Sequence, residues 1–220
     1  MALKWRAVVA ALTVAVGLST GPSALASGDS VVVPPGGTVA GMGYGGWLAL
    51  SWQLAFRAHP PGPGACESAI TADGPVAVLF QSFAGGEQAY TCNEPLGRPI
   101  YIVGISNECS TVPGDHPGFG DTPAQLELCA PTGFDGAFGT ASVDGRAVED
   151  YRALISRTAV FTIHLPRNNL FDTIERTAQS AAFGEGLLLR GLSTGTHIVR
   201  TTSVVPNVLS AEVTYTLNIG

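Results

Sequence analysis

The chain has 220 residues, 11 Lys and Arg against 17 Asp and Glu, a net charge of −6, and 45% hydrophobic residues. Its one lysine is Lys4, which excludes Schiff-base chemistry and a Walker-type phosphate loop from everything downstream. The acidic balance argues against nucleic acid or an anionic membrane surface as a partner, because basic residues supply most of that binding energy.

The chain opens MALKWRAVVAALTVAVGLSTGPSALASGDS. Lys4 and Arg6 precede an apolar run over residues 7–18, and Ala24-Leu25-Ala26 fits the small-x-small cleavage rule. Residues 1–26 are therefore expected to be a signal peptide, and the apolar run is too short for the ~20 helical residues that span a bilayer. Cleavage after Ala26 leaves 194 residues, nine Arg and seventeen acidic residues, a net charge of −8. That length predicts one secreted, extracellular domain over 27–220 with no membrane span.

Further along, the glycine-rich GMGYGG (41–46) leads into WLALSWQLAF (47–56), which is apolar nearly all round and poor in β-branched residues. A short buried helix is expected there, ended by HPPGPG (59–64) because proline cannot continue a helix. Strands are expected over 76–83, 88–92 and 99–106, then a long polar loop over 110–123 and a turn or two of helix over 124–130. Asp144-Gly145 inside SVDGRAV suits the positive φ angles of a type I′ hairpin turn. Residues 160–165 alternate, 167–178 is ambiguous, and 186–192 and 197–203 read as strands. In AEVTYTLNI, Val213, Tyr215, Leu217 and Ile219 share one face, and Glu212, Thr214, Thr216 and Asn218 the other, which predicts a strand with one wet and one buried face. Many short strands separated by turns predict a mainly β fold: an antiparallel β-sandwich, immunoglobulin-like or jelly-roll-like, with a short N-terminal helix.

Cys66, Cys92, Cys109 and Cys129 are an even set, which in an exported chain reads as two disulfides. Four cysteines allow three pairings. Cys66–Cys92 with Cys109–Cys129 is favoured because it closes two moderate loops, and no C-x-x-C or clustered Cys/His spacing suggests zinc.

Several motifs resemble reactive sites. Gly191-Leu192-Ser193-Thr194-Gly195 fits the G-x-S-x-G nucleophile elbow, but that elbow needs a following helix with a later acid and histidine. The downstream segment is β-rich, its histidine is His197 only four residues on, and its one acid is Glu212. The same pentapeptide also recurs at 17–21, inside the expected leader. Ser193 is therefore expected to sit in a hairpin turn feeding residues 197–203, with His197 half-buried, hydrogen-bonded across the closing hairpin and structural. Gly41 to Gly46 fits G-x-G-x-x-G, yet no βαβαβ pattern follows, so a tight bend before the helix is expected instead of a cofactor loop. His59, His116, His164 and His197 are scattered. His116 near Asp115 and Asp121 lacks the regular carboxylates of a calcium loop. Glu87, Glu94 and Glu108 lie near strand ends, where glycosidase work would need two carboxyls at a set separation. Trp47 and Trp52 are expected in the core. No catalytic, cofactor-binding or metal residue is assigned.

The order Tyr44-Gly45-Gly46-Trp47 with Trp52-Gln53, then Cys66, QSFAG (81–85), TCNEPLG (91–97), NECS (107–110), Val143-Asp144-Gly145, LSTGTH (192–197) and VTYTL (213–217) resembles a family of exported bacterial proteins of the "signal protein" type. The resemblance covers most of the mature chain. It implies export, a β-rich domain and the disulfides, and carries over no catalytic residue. The expected function is a secreted, non-enzymatic binding or cell-envelope interaction module for an extracellular ligand. The alternative is a carboxylate-dependent hydrolase acting on polysaccharide.

Overall fold

The computed structural model describes residues 30–57, 66–81 and 85–220. The leader assigned to 1–26, His59 and the rest of the proline-rich run lie outside the described residues. The chain begins with helix α1 (Tyr44–Arg57), then strands β1 (Cys66–Thr71), β2 (Gly74–Leu79), β3 (Gly86–Glu94) and β4 (Ile100–Ser110). Helix α2 (Pro123–Cys129) follows, then β5 (Phe138–Val143), β6 (Arg146–Ala147), a 3-10 turn (Tyr151–Leu154), β7 (Ser156–Arg157) and β8 (Phe161–His164). The long strands β9 (Thr177–Leu189), β10 (Gly195–Val205) and β11 (Leu209–Ile219) complete it.

The strands form two sheets. One has the order β1-β2-β4-β9, with β7 and β8 both pairing with β9. The other has the order β3-β11-β10-β5-β6. Their apolar faces meet in one core, where Val76, Ile100, Ile102 and Leu187 lie with Val199, Val213, Tyr215 and Leu217. The alternation in the last strand holds: Val213, Tyr215 and Leu217 are fully buried and Glu212 is exposed. Each buried aliphatic side chain of this kind stabilises the fold by about 1.5–3 kcal/mol.

Most strand pairs are antiparallel, but β2–β4 and β3–β11 are parallel. The chain leaves the first sheet after β2, adds β3 to the second, and returns as β4 running in the direction of β2. The excursion between sheets, invisible to local pattern, breaks the expected all-antiparallel pairing.

In β4 Ile100 to Ile105 include five buried apolar residues because this sheet is covered on both faces. Its outer face carries α1, whose Trp47 is fully buried with its ring centroid 5.9 Å from that of Tyr101. Trp52 is only half-buried and packs on Phe56 at 5.4 Å. Gly45 lets the helix approach closely: a Cβ there would lie 2.5 Å from the Arg157 carbonyl oxygen of β7. GMGYGG thus serves helix packing. α2 starts at Thr122, whose side chain accepts from the Gln125 amide while Gln125 caps Thr122 in return, with Pro123 in the first turn.

The favoured cysteine pairing is present. Cys66–Cys92 joins β1 of one sheet to β3 of the other, and Cys109–Cys129 ties β4 to α2. Asp144 (φ 50°) and Gly145 (φ 77°) form the expected turn between β5 and β6. The expectation for GLSTG is corrected. It is not the turn of a hairpin, because β9 and β10 belong to different sheets, and it carries the chain across the core from one to the other. The closing hairpin is β10–β11, paired from Gly195↔Ile219 to Val205↔Leu209.

Candidate functional site

A cleft of about 310 Å³ opens at the end of the sheets where β10 turns into β11. Its walls include Trp52 and Ala55 of α1, Phe80, Ile105 of β4, Phe134 and Val208. The β4–β9 register shifts between Val103 and Ser106, and this irregularity turns residues 103–107 towards the cleft. Gln81, Ser106 and Asn107 supply polar groups at its wall, and none of the described lining residues is ionisable. Val208 is 80% exposed at the rim. The volume lies at the small end of ligand pockets and the lining is mainly apolar.

A second cluster lies at the opposite end of β10, where His197 is eight residues before the cleft-lining Val205, roughly 26 Å away at ~3.3 Å per residue. His197 Nδ1 is 2.7 Å from Asp144 Oδ2, and His197 Nε2 is 2.9 Å from the Ser193 carbonyl oxygen and 3.3 Å from Ser193 Oγ. The other oxygen of Asp144 accepts from the Ile198 amide at 2.8 Å. The type I′ turn is the cause: it ends β5 beside β10 and aims the Asp144 side chain along the neighbouring strand. Burial opposes charge on the imidazole, but the Asp144 carboxylate and the Ser193 carbonyl outweigh it and hold the His197 pKa above its ordinary value. His197 is half-buried, as expected, but its partners are the β5–β6 turn and the sheet crossover, not the β10–β11 hairpin. The exclusion of an acid by chain order fails here, since the acid lies upstream and folding brings it in.

The carboxylates singled out from the sequence do not converge on the cleft. Glu87 is exposed, and Glu94 is buried in an ion pair with Arg98 at 2.9 Å. Glu108 is buried, accepts from the Ser180 hydroxyl, and is pushed by burial up to about 8. A third buried carboxylate, Glu185, has no counterpart among the residues singled out from the sequence. It is 1% exposed between the sheets, and burial raises it to about 7 against the pull of Arg152. Its Oε2, like the hydroxyls of Tyr101, Tyr215 and Thr201, has no protein hydrogen-bond partner. The lone acid of Gly184-Glu185-Gly186, set directly before three leucines, was the available signal.

Asp115 accepts from Ser110 Oγ at 2.6 Å, and the His116 and Phe119 rings meet at a tilt with centroids 5.5 Å apart. No group of three or more His, Cys, Asp or Glu side chains stands in metal-holding arrangement among the described residues, and none of their helices is long and apolar enough to cross a membrane.

No family model matches the chain, and no curated protein matches it. Similar solved structures include PbICP-C from its complex with falcipain-2, with TM-score 0.26 and 8% identity over 65% of this chain and 98% of that one. They also include the cysteine protease inhibitor EhICP2 from Entamoeba histolytica, with TM-score 0.26 and 11% identity over 65% of this chain and 94% of that one. Amebosin has TM-score 0.23 and 13% identity over 61% of this chain and 100% of that one. These are partial likenesses, and at such scores nothing about this chain's partners follows from them.

Proposed function

We propose that the protein is a secreted, single-domain binding module whose ligand seats an apolar group in the cleft at the β10–β11 end. The carrying observation is the cleft itself, a mainly apolar hollow of about 310 Å³ with Phe80, Phe134 and Val208 in its lining and no ionisable side chain among the described lining residues. General acid–base work on a polysaccharide needs two carboxyls facing one substrate, so this lining favours binding over hydrolysis. The two shared-core sheets are read as a sandwich of immunoglobulin-like or jelly-roll-like type. Two disulfides support an oxidising, extracellular location and fit the resemblance to exported bacterial proteins.

The test uses the disulfide-bonded protein with purified cell-wall fractions, insoluble polysaccharides and the fluorescent apolar probe anilinonaphthalene sulfonate. Val208→Arg alters only the rim, so folding is expected to survive. It should weaken probe binding and envelope retention together by tenfold or more. Retention that ignores the substitution, or sugar released into solution by the unmodified protein, would overturn the proposal.

A further inference from the structure

Ser193, His197 and Asp144 form a chain of side-chain contacts that the binding function leaves unused. We propose that Ser193 is a nucleophile that accepts acyl groups from activated esters, with His197 as its general base and Asp144 as the positioning residue. The cluster lies at the other end of β10 from the cleft, so it stands or falls independently of the binding function.

Three observations carry it. First, the separations of 3.3 Å from Ser193 Oγ to Nε2 and 2.7 Å from Nδ1 to Asp144 Oδ2 place serine, imidazole and carboxylate in the order that nucleophile activation requires. Second, Asp144 is itself held: its Oδ1 accepts from the Ile198 amide, and its own amide donates to the Ile198 carbonyl oxygen, each at 2.8 Å. A carboxylate so fixed keeps hydrogen on Nδ1 and leaves Nε2 facing the serine. Third, the serine is reachable. Ser193 is exposed, and a Cβ at Gly191 or Gly195 on either side would meet nothing within 4 Å.

Nε2 has two partners, and the proton decides between them. A carbonyl oxygen only accepts, so the 2.9 Å contact to Ser193 O belongs to the imidazolium, which donates from both nitrogens. The serine is then idle. When the ring is neutral, Nε2 presents a lone pair, and the Ser193 hydroxyl donates to it. Asp144 is the only ion-pair partner of His197 among the described residues, and its register partner across β11 is the buried Leu217. Reactivity therefore rises with pH as this imidazole loses its proton and then levels off.

The step balances without a cofactor. The Ser193 Oγ–carbon bond forms at the acyl carbonyl, the bond from that carbon to the aryloxide oxygen breaks, and the hydroxyl proton passes to Nε2 and on to solvent. The leaving group departs as phenolate. Nothing is oxidised or reduced.

The experiment treats the full chain with p-nitrophenyl acetate from pH 6 to 9, then locates acetyl groups by fragment mass spectrometry. Lys4 is the only lysine, so background acylation of amines is low. Tryptic cleavage after Arg190 and Arg200 isolates Ser193 and His197 on one ten-residue peptide. The expected result is one acetyl on Ser193, absent in Ser193→Ala. His197→Gln should slow the reaction by about 100-fold, the low end for general base catalysis. Asp144→Asn should slow it less and shift the pH midpoint downwards. If His197→Gln fails to fold by circular dichroism, Asp144→Asn and the plateau of the parent profile carry the decision. An acetyl on His197 instead of Ser193, an adduct that persists in Ser193→Ala, a variant as fast as the parent, or no adduct at all would overturn the proposal and leave a purely structural clamp.

Discussion

Asp144 and His197 are 53 positions apart in the chain and meet at 2.7 Å, joining the tip of the β5–β6 hairpin to the start of β10. The contact ties the β5–β6 turn to the first residues of β10, beside the crossover from the first sheet. Its strength depends on charge, because the Ser193 carbonyl on the other side of the ring is satisfied only while Nε2 carries hydrogen.

The consequence for stability has a definite sign. The folded pKa of His197 is raised above its ordinary value of 6.5. The folded state therefore holds this proton more tightly than the unfolded state. Its contribution is fully present below pH 6.5 and is lost as pH rises through the folded value. Asp144→Asn should flatten that segment of the stability curve, read as denaturation midpoints at half-unit pH intervals. An unchanged curve would show that the contact does not hold in solution.

Glu108 and Glu185 act in an overlapping window that begins lower, with the same direction. Burial lifts them from 4.5 to about 8 and about 7, so the folded state favours their neutral forms. Stability should fall from about pH 4.5 up to those values and then level off, because ionising either carboxyl in place leaves a desolvated charge. Glu108→Gln keeps the size and a hydrogen-bonding group but cannot ionise. It should reduce the slope between about pH 4.5 and 6.5, a range in which Asp144→Asn leaves the His197 contribution unchanged. Equal slopes in Glu108→Gln and the parent would contradict the assignment.

The two disulfides should not be equivalent in what they hold. Both close loops of similar length, with separations of 26 and 20 residues, and each is expected to contribute about 3 kcal/mol through loop entropy. Cys66–Cys92 ties the edges of the two sheets, whereas Cys109–Cys129 fixes α2 on one. The double substitution Cys66→Ala with Cys92→Ala should raise hydrogen exchange in β1 and β3 together. Replacing the Cys109–Cys129 pair should free α2 alone.

Gly45 tests the packing of the helix on its sheet. A methyl group there would sit 2.5 Å from a backbone oxygen, which cannot swing aside. Gly45→Ala improves helix propensity by roughly 1 kcal/mol. It should nonetheless lower stability by about 1–3 kcal/mol, because overpacking dominates. Calorimetric melting decides the sign.

Ser193→Ala should leave stability within about 0.5 kcal/mol of the parent, as expected of an exposed residue. A silent fold with a lost acetyl adduct would separate its chemistry from any role in packing.

Local features were legible before folding was considered. The all-round apolar stretch with Trp47 became α1, Asp144-Gly145 became a type I′ turn, and Val213, Tyr215 and Leu217 turned inwards together. Each depends on periodicity or φ preference within a few residues, which the chain carries wherever it lies in space. Cys66–Cys92 and Cys109–Cys129 followed from loop length. Strand β1 went unassigned because its pattern of half-buried residues lacks an apolar face. The first half of β9 carries no strong apolar signal for a different reason: Ala178 and Ala181 are small residues, buried because Phe56 of α1 and Leu126 of α2 pack in their clusters. Only the tertiary structure decided the parallel pairs, the cleft and the meeting of Ser193, His197 and Asp144. These depend on which sheet each strand joins after crossing the core, and that choice is made by long-range burial, to which no short stretch of sequence is sensitive.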